Sequence, residues 1–431
     1  MKLRDILATS STVVRRVLHL LARPARLAPG QPGLVLQAYR GYGTPDELFL
    51  VGRVVSQPTT RFPRQPGPLA RDLRALLSRL RRRGVAHAAV TAQCGTAHQR
   101  VTTDRQGYFR LCLRPTPPLS TDQLWHPVAL TVVAPSGATA TGTGTVLVPP
   151  PSARFVVISD IDDTVVVTGV ANKLIMLWRL FAQGAQSRVA FPGVAAFYQA
   201  LYQGRGGAEH NPLLYVSRGP WSIYELLDTF FQHHGIPIGP VLFLRDWGLS
   251  LQHLWPWGAF EHKLALIRAM LERYRDLPFV LIGDSGQQDP ELYTEIVREH
   301  PQRVLAIYIR NVSRDAQREA AIAELAAEVV AAGSSLLLAA DSFAMAEHAA
   351  AHDLISAEAL TAVLRERVEQ QGAPALRPTQ VVSGPQEATT AVDASAAVQT
   401  ALGRETGSAS PPNVVIEGDP AVEPSDKPIS P

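Results

Sequence analysis

The sequence predicts an α/β protein: a Rossmann-like parallel sheet, preceded by a smaller N-terminal β-sandwich-like domain and followed by a disordered C-terminal tail. Three observations predict it. From Phe155 onward, short apolar runs rich in β-branched residues alternate with segments of helical periodicity, the pattern of a parallel sheet covered on both faces. Between Leu34 and Val148 the strand-like runs are short, closely spaced and divided by turn residues, the pattern of a small sandwich. After residue 371 Pro, Ser, Thr, Ala and Glu dominate, so too little apolar surface is available to offset ordering entropy.

The 431 residues allow two or three domains, at roughly 100–200 residues each. The formal net charge of +3 conceals an asymmetry: residues 1–150 carry 20 basic and 6 acidic residues (+14), the remainder 21 and 32 (−11). A basic front half calls for an anionic partner: phospholipid, nucleic acid or the protein's own acidic half. Cys94 and Cys112 are the only cysteines, which excludes a disulfide framework and a CxxC metal site. They read as two reduced thiols in a cytosolic protein, with a bridge between neighbouring strands as the alternative. The apolar runs are too short for a transmembrane helix. Asp5 and Arg15-Arg16 interrupt the apolar core that a signal peptide needs.

Residues 1–33 are a basic amphipathic segment and linker. Ile6, Leu7, Val13, Val14, Val17, Leu18 and Leu21 alternate with arginines over residues 1–27, which suits either a helix lying in a membrane surface or one packed on its own domain. Residues 34–150 form the β-rich domain. Strands are expected at Leu34–Tyr39, Glu47–Val55, Val85–Ala92, Gln99–Thr103, Tyr108–Leu113, Pro127–Val133 and Thr139–Val148, with a turn at Arg40–Pro45 and a hairpin connection at Asp104–Gly107. Leu69–Arg83 breaks in with helical spacing and a polar face of Arg74, Arg79, Arg81, Arg82 and Arg83, either a solvated face or an anion-binding one. Pro149-Pro150-Pro151 marks a hinge.

Residues 151–371 form the second domain. Strands are expected at Phe155–Ser159, Leu213–Ser217, Val241–Leu244, Phe279–Ile282, Val304–Ile309 and Ser335–Ala339. Helices are expected at Val194–Tyr202, Ile223–His233, Glu261–Tyr274, Pro290–Glu299, Glu319–Ala332, Ala344–Ala351 and Ala357–Gln370. Residues 372–431 are the acidic tail.

The chemistry gathers where these strands end. Phe155–Ile158 runs into Asp160, Asp162 and Asp163, and buried carboxylates are costly unless paired or metal-bound. Ser217-Arg218-Gly219-Pro220, Lys263, Gly283-Asp284-Ser285-Gly286 and Asp289 follow. In a parallel sheet all strand carboxyl ends share one rim, so these groups converge. The inventory fits phosphoryl transfer. One carboxylate serves as nucleophile and a second, two residues on, as acid and base. Hard oxygen ligands suit Mg²⁺, while a hydroxyl and an ammonium offset phosphate charge. Trp247–Trp257, with Leu249, Leu251, Leu254 and Trp255 around Pro256, reads as an apolar lip for an acyl chain or as a packed loop. His233, His234, His253 and His262 lack metal-ligand spacing. Val165–Gly207 is long enough for a flap over the site.

Residues 154–314 resemble the haloacid-dehalogenase-like (HAD-like) phosphatases, and more narrowly the catalytic domain of the actin-patch-protein-type phosphatidate phosphatases. The narrow resemblance rests on Asp160-Ile-Asp-Asp-Thr164, Ser217-Arg-Gly-Pro220, Pro237-Ile-Gly-Pro240 with Leu244-Arg-Asp246, His262-Lys263 and Gly283-Asp-Ser-Gly-Gln-Gln-Asp-Pro-Glu-Leu-Tyr293. Tyr39-Arg-Gly-Tyr-Gly-Thr-Pro45, Gly52-Arg53 and Thr103-Asp-Arg-Gln-Gly-Tyr-Phe109 resemble that family's companion domain, so the likeness covers roughly residues 34–355.

The resemblance implies that Asp160 is the nucleophile and Asp162 the acid and base, and that Mg²⁺ is held by Asp160, Asp284, the Asp162 carbonyl and the nearby Asp289. Ser217 and Lys263 hold the phosphate. Arg218 stands where many relatives have a small polar residue; it either adds a phosphate donor or narrows the substrate range. Asp163 receives no role and reads as a structural carboxylate. The function implied is a phosphatidate phosphatase that forms an aspartyl-phosphate. Its substrate is a phosphorylated lipid and not a nucleic acid, and its place is the cytoplasm, at the periphery of an anionic membrane through the basic front half. The alternatives are a phosphatase for soluble sugar or nucleotide phosphates, or a non-catalytic phospholipid-binding adaptor.

Overall fold

The computed structural model describes residues 33–56, 83–161, 164–165, 191–219, 221–243, 257–313 and 315–371. The readings of the basic segment 1–32, of most of the Leu69–Arg83 helix, of the apolar lip at 247–256, of the tail and of the side chains of Asp162 and Asp163 lie outside those residues, as does most of the flap segment.

The front of the chain makes nine strands: β1 (Leu34–Ala38), β2 (Gly41–Thr44), β3 (Glu47–Ser56), β4 (Arg83–Gly84), β5 (Ala89–Cys94), β6 (Ala97–Thr102), β7 (Tyr108–Leu113), β8 (Trp125–Val133) and β9 (Thr139–Leu147). In β8 every second residue is buried, the signature of a strand with one face on a core. The strands are hydrogen-bonded as one connected sheet, β1-β3-β2-β9-β8-β5-β6, with β4 and β7 also on β3. The expected pair of separate sheets is therefore replaced by one sheet wrapped around one core of Leu48, Leu50, Val54, Val90, Phe109, Leu111, Val128 and Val146. The ten-residue β3 makes this possible. It is long enough to take β1 and β2 along one edge and β7 and β4 along the other.

Three local readings change. Arg40–Pro45 is not a turn: Gly41–Thr44 is strand β2, and the turn is only Pro45-Asp46. Gly41 is there for close approach, since a Cβ would lie 2.1 Å from the Phe49 carbonyl oxygen. Asp104–Gly107 does turn the chain, with Asp104 Oδ1 accepting from the Gln106 and Tyr108 amides. It joins strands that do not pair with each other, because β6 pairs with β5 and β7 with β3. Arg83 ends no helix but pairs with Ser56. Cys94 and Cys112 are both free thiols.

The second sheet has six parallel strands: β10 (Val156–Asp160), β11 (Leu213–Ser217), β12 (Val241–Phe243), β13 (Phe279–Asp284), β14 (Val304–Arg310) and β15 (Leu336–Ala339), in the order β12-β11-β10-β13-β14-β15. The helices are α1 (Val194–Gln203), α2 (Tyr224–His234), α3 (Trp257–Arg273), α4 (Asp289–Glu299), α5 (Ala316–Ala331), α6 (Ser342–Ala351) and α7 (Ala357–Gln371). Val157 faces a core with α1, α2, α6 and α7, while Val156 and Ile158 face one with α3, α4 and α5. Burial on both faces is why the strand sequences are continuous apolar runs. The helix α1 shows the complementary pattern, burying Val194, Phe197, Tyr198 and Leu201 at helical spacing. The chain steps outward from β10 to β12 and then returns to β13 on the other side of β10. The topological switch thus lies between β10 and β13, where open α/β sheets place their ligand crevice.

The β domain covers the β12 side of this sheet. Tyr39 stacks on Trp221 at 4.1 Å, the Arg40 amide donates to Tyr224 Oη at 3.0 Å, Arg40 pairs with Asp228, and Gln37 donates to Glu225. Further along, Arg273 lies 3.7 Å from the Phe49 ring centroid and pairs with Glu47 at 2.8 Å.

Candidate active site

Asp160 is the last residue of β10, Ser217 of β11 and Asp284 of β13, so the switch brings all three to one rim. Asp289 opens α4, where the positive end of the helix favours a carboxylate. Gly283 makes room for it, because a Cβ there would lie 2.3 Å from Asp289 Oδ2. That oxygen also accepts from the Asp284 amide at 3.3 Å. Lys263 comes from the second turn of α3, which packs beside α4 on the same face of the sheet.

The side chains meet. Lys263 Nζ donates to Asp160 Oδ1 at 3.0 Å and to Asp289 Oδ1 at 2.6 Å. The ammonium and both carboxylates are almost fully buried, at 6% and 2–3% side-chain exposure. Burial alone would push the Lys263 pKa down; the charges of Asp160 and Asp289 outweigh it and hold the ammonium well above its ordinary value. Gln287 Nε2 donates to Asp284 Oδ2 at 2.6 Å and to Asp160 Oδ2 at 3.3 Å. Its Oε1 accepts from Arg218, which is otherwise exposed. Ser217 Oγ accepts from the Gly219 amide at 3.0 Å, which fixes the turn after β11.

Carboxylate oxygens of Asp160, Asp284 and Asp289 lie within 4.8 Å of one another. Three buried carboxylates against one buried ammonium leave an excess of negative charge. Hard oxygen donors with that excess fit a divalent cation of the Mg²⁺ kind. The amide N–H of Gln287, itself a donor, already draws together one oxygen from each of Asp160 and Asp284.

Residues 155–311 match the family described as phosphatidate phosphatase APP1, catalytic domain. A segment of 159 residues, 37% of this chain, is 30% identical to an uncharacterized protein of Schizosaccharomyces pombe. A segment of 154 residues, 36% of this chain, is 32% identical to phosphatidate phosphatase APP1 of Saccharomyces cerevisiae. Each alignment covers 25% of the relative, so this chain spans about a quarter of the length of the curated relatives it matches. A solved Paenibacillus cycloisomaltooligosaccharide glucanotransferase overlaps 70% of this chain and 44% of its own, at 7% identity and a TM-score of 0.22, a likeness that carries no argument.

Within the matched residues 155–311, Asp160, Lys263, Asp284 and Asp289 are brought together as the sequence leads one to expect. Ser217 stands at the neighbouring strand end, and Arg218 reaches the cluster through Gln287. Two residues were not singled out. Gln287 lies inside the Gly283–Tyr293 motif, but an uncharged amide gives no titratable signal. Arg310 ends the apolar run of β14, opposite Asp284. It is buried, donates to the Thr164 carbonyl at 3.2 Å and to Ser342 Oγ at 2.9 Å, and burial pushes its pKa down to about 10. A charge closing an apolar strand at the same rim was the available signal.

Proposed function

We propose that this chain is a Mg²⁺-dependent phosphomonoester hydrolase of the HAD-like type, acting on phosphatidate to release phosphate and diacylglycerol. The observation that carries the reading is the contact of Lys263 with Asp160 and Asp289, beside Asp284, at the carboxyl rim of a parallel sheet in the matched domain. The lipid substrate rests on the likeness to the phosphatidate phosphatase of Saccharomyces cerevisiae.

Asp160 is the nucleophile: one carboxylate oxygen attacks phosphorus, the bond to the glycerol oxygen breaks, and an aspartyl-phosphate forms. Asp162 gives the leaving oxygen its proton, then takes one from the water that releases phosphate and restores Asp160. Lys263 orients Asp160 through its 3.0 Å hydrogen bond and offsets charge on the phosphoryl oxygens. Ser217 and Arg218 hold those oxygens. Asp160, Asp284, Asp289 and the Asp162 carbonyl are the residues to hold Mg²⁺, which when bound neutralises phosphate charge. The basic front half gives peripheral contact with an anionic membrane on the cytoplasmic side.

The test is phosphate release by the purified chain from phosphatidate in mixed micelles, beside a panel of sugar and nucleotide phosphates. Turnover of phosphatidate, abolished in Asp160→Asn, is the expected result. Faster turnover of soluble esters would overturn the substrate, and an active Asp160→Asn would overturn the nucleophile.

A further inference from the structure

Arg318 is out of place by the rules of its own helix. It is the third residue of α5, just after the cap in which Asp315 accepts from the Gln317 amide. A cation there faces the positive end of the helix, the end that favours carboxylates. Its side chain reaches across to the loop between β13 and α4. Nε donates to the Ser285 carbonyl at 2.9 Å and Nη2 to the Gln287 carbonyl at 2.7 Å. Nη1 pairs with Glu291 in the first turn of α4, whose other carboxylate oxygen accepts from Nη2 at 3.0 Å. One planar guanidinium thus holds two peptides of the loop and the helix that follows. That loop spans Asp284 and Asp289, two of the three clustered carboxylates.

The hold on the Ser285 carbonyl has a directional consequence. In a trans peptide the C=O and the next N–H point opposite ways. With the Ser285 carbonyl turned out to Arg318, the Gly286 N–H is turned in, and it donates to Asp284 Oδ1 at 2.8 Å. The Gln287 carbonyl is held in the same way, and the side chain of that residue donates to Asp284 Oδ2 at 2.6 Å. Both oxygens of Asp284 are therefore aimed by residues that Arg318 fixes. A lysine at this position would keep the charge but offer a point donor in place of the fork. Arg318 is only half-buried, so the exchange leaves the core packing intact.

We propose that Arg318 is a positioning residue for the metal-holding carboxylates, acting on Asp284 through the Ser285–Gly286 peptide. The assignment rests on the reading of these carboxylates as Mg²⁺ ligands, and its test involves no turnover. Mn²⁺, which takes the same hard oxygen donors as Mg²⁺, is titrated into the full chain without substrate. Free ion is read by electron paramagnetic resonance. The parent is compared with Arg318→Lys, which loses the fork, and with Glu291→Gln, which loses the ion pair and leaves both carbonyls held. Arg318→Lys should bind Mn²⁺ about tenfold more weakly, the usual loss when a group supporting metal ligands is removed. Glu291→Gln should stay within about threefold of the parent, since a partly exposed ion pair is worth little. Melting in chelator, followed by circular dichroism, checks that both variants are folded. Folded Arg318→Lys with the parent's Mn²⁺ affinity would overturn the assignment. So would equal losses in the two variants, which would give the effect to the ion pair between α4 and α5. No Mn²⁺ binding by the parent would overturn the metal reading itself, and the assignment with it.

Discussion

Lys263→Met tests the site without substrate. The substitution keeps the apolar stem and removes the ammonium from between Asp160 and Asp289, at 3.0 and 2.6 Å. At an effective dielectric near 20, each contact is a gross attraction of about 6 kcal/mol, offset by a desolvation cost of several kcal/mol per ion. The raised Lys263 pKa says that attraction exceeds desolvation. Removing one partner of a buried pair strands the other, and the expected loss is about 3–5 kcal/mol. For a domain of this size each kcal/mol lowers the melting temperature by about 2–4 °C, so the variant should melt about 6–20 °C below the parent in chelator. A divalent cation supplies the missing positive charge. Mg²⁺ should therefore raise the melting temperature of the variant more than that of the parent. The assay is thermal unfolding followed by circular dichroism, with chelator and with a Mg²⁺ series. A variant that melts with the parent in chelator would refute the stranded-charge argument. Equal Mg²⁺ shifts in both proteins would refute the shared electrostatics.

Three further outcomes follow from other contacts. Gln287→Ala frees Arg218 and one oxygen each of Asp160 and Asp284, and kcat/KM should fall about tenfold or more; an unchanged value would make the amide a bystander. Glu47, held by Arg273 and Arg114, has its pKa pulled down from 4.5 to about 2, so its contribution is full above its ordinary value of 4.5 and is lost as pH falls toward 2. After solvent screening about 1–2 kcal/mol should separate the parent from Glu47→Gln at pH 6, and the gap in urea unfolding should close below pH 3. His348, buried with its Nδ1 by Tyr308 Oη and its ring stacked on His352, has its pKa lowered to about 3 by burial. Its contribution is full above about 6.5 and falls with pH below that, so the parent should lose about 2 kcal/mol more than His348→Gln between pH 7 and pH 5; parallel pH profiles would count against a neutral buried imidazole.

The parallel sheet was legible because its strands are buried on both faces and its helices on one. Phe155–Ile158 cannot be mistaken for a solvated loop, and Val194, Phe197, Tyr198 and Leu201 mark a single helix face. The carboxylates at the strand ends were legible for the opposite reason, since charge following a buried run needs a partner. The misreadings are non-local. Gly41 has a turn residue's identity but serves a backbone contact with Phe49, eight positions on. Asp104 and Gly107 make the turn they advertise, yet the next strand pairs with β3 because Phe49 and Val51 lie opposite Cys112 and Arg110. Partner choice among strands depends on which faces must be covered, and a short window does not contain that.

Coverage also explains why the two domains are joined so closely. The edge of β12 has no strand partner beyond β11 among the described residues, and a bare sheet edge invites pairing with another chain. The motif Tyr39-Arg40-Gly41-Tyr42 lies against that side, with Tyr39 on Trp221, Arg40 on Tyr224 and Asp228, and Tyr42 beside Phe49. Trp221 follows Ser217 by four residues, so the contact that guards the edge also braces the turn in which Gly219 fixes Ser217. Loss of the Tyr39–Trp221 stack should thus disturb the Ser217–Gly219 turn before it disturbs Asp160 and Lys263, which are anchored by α3 and α4 on the far side of the sheet.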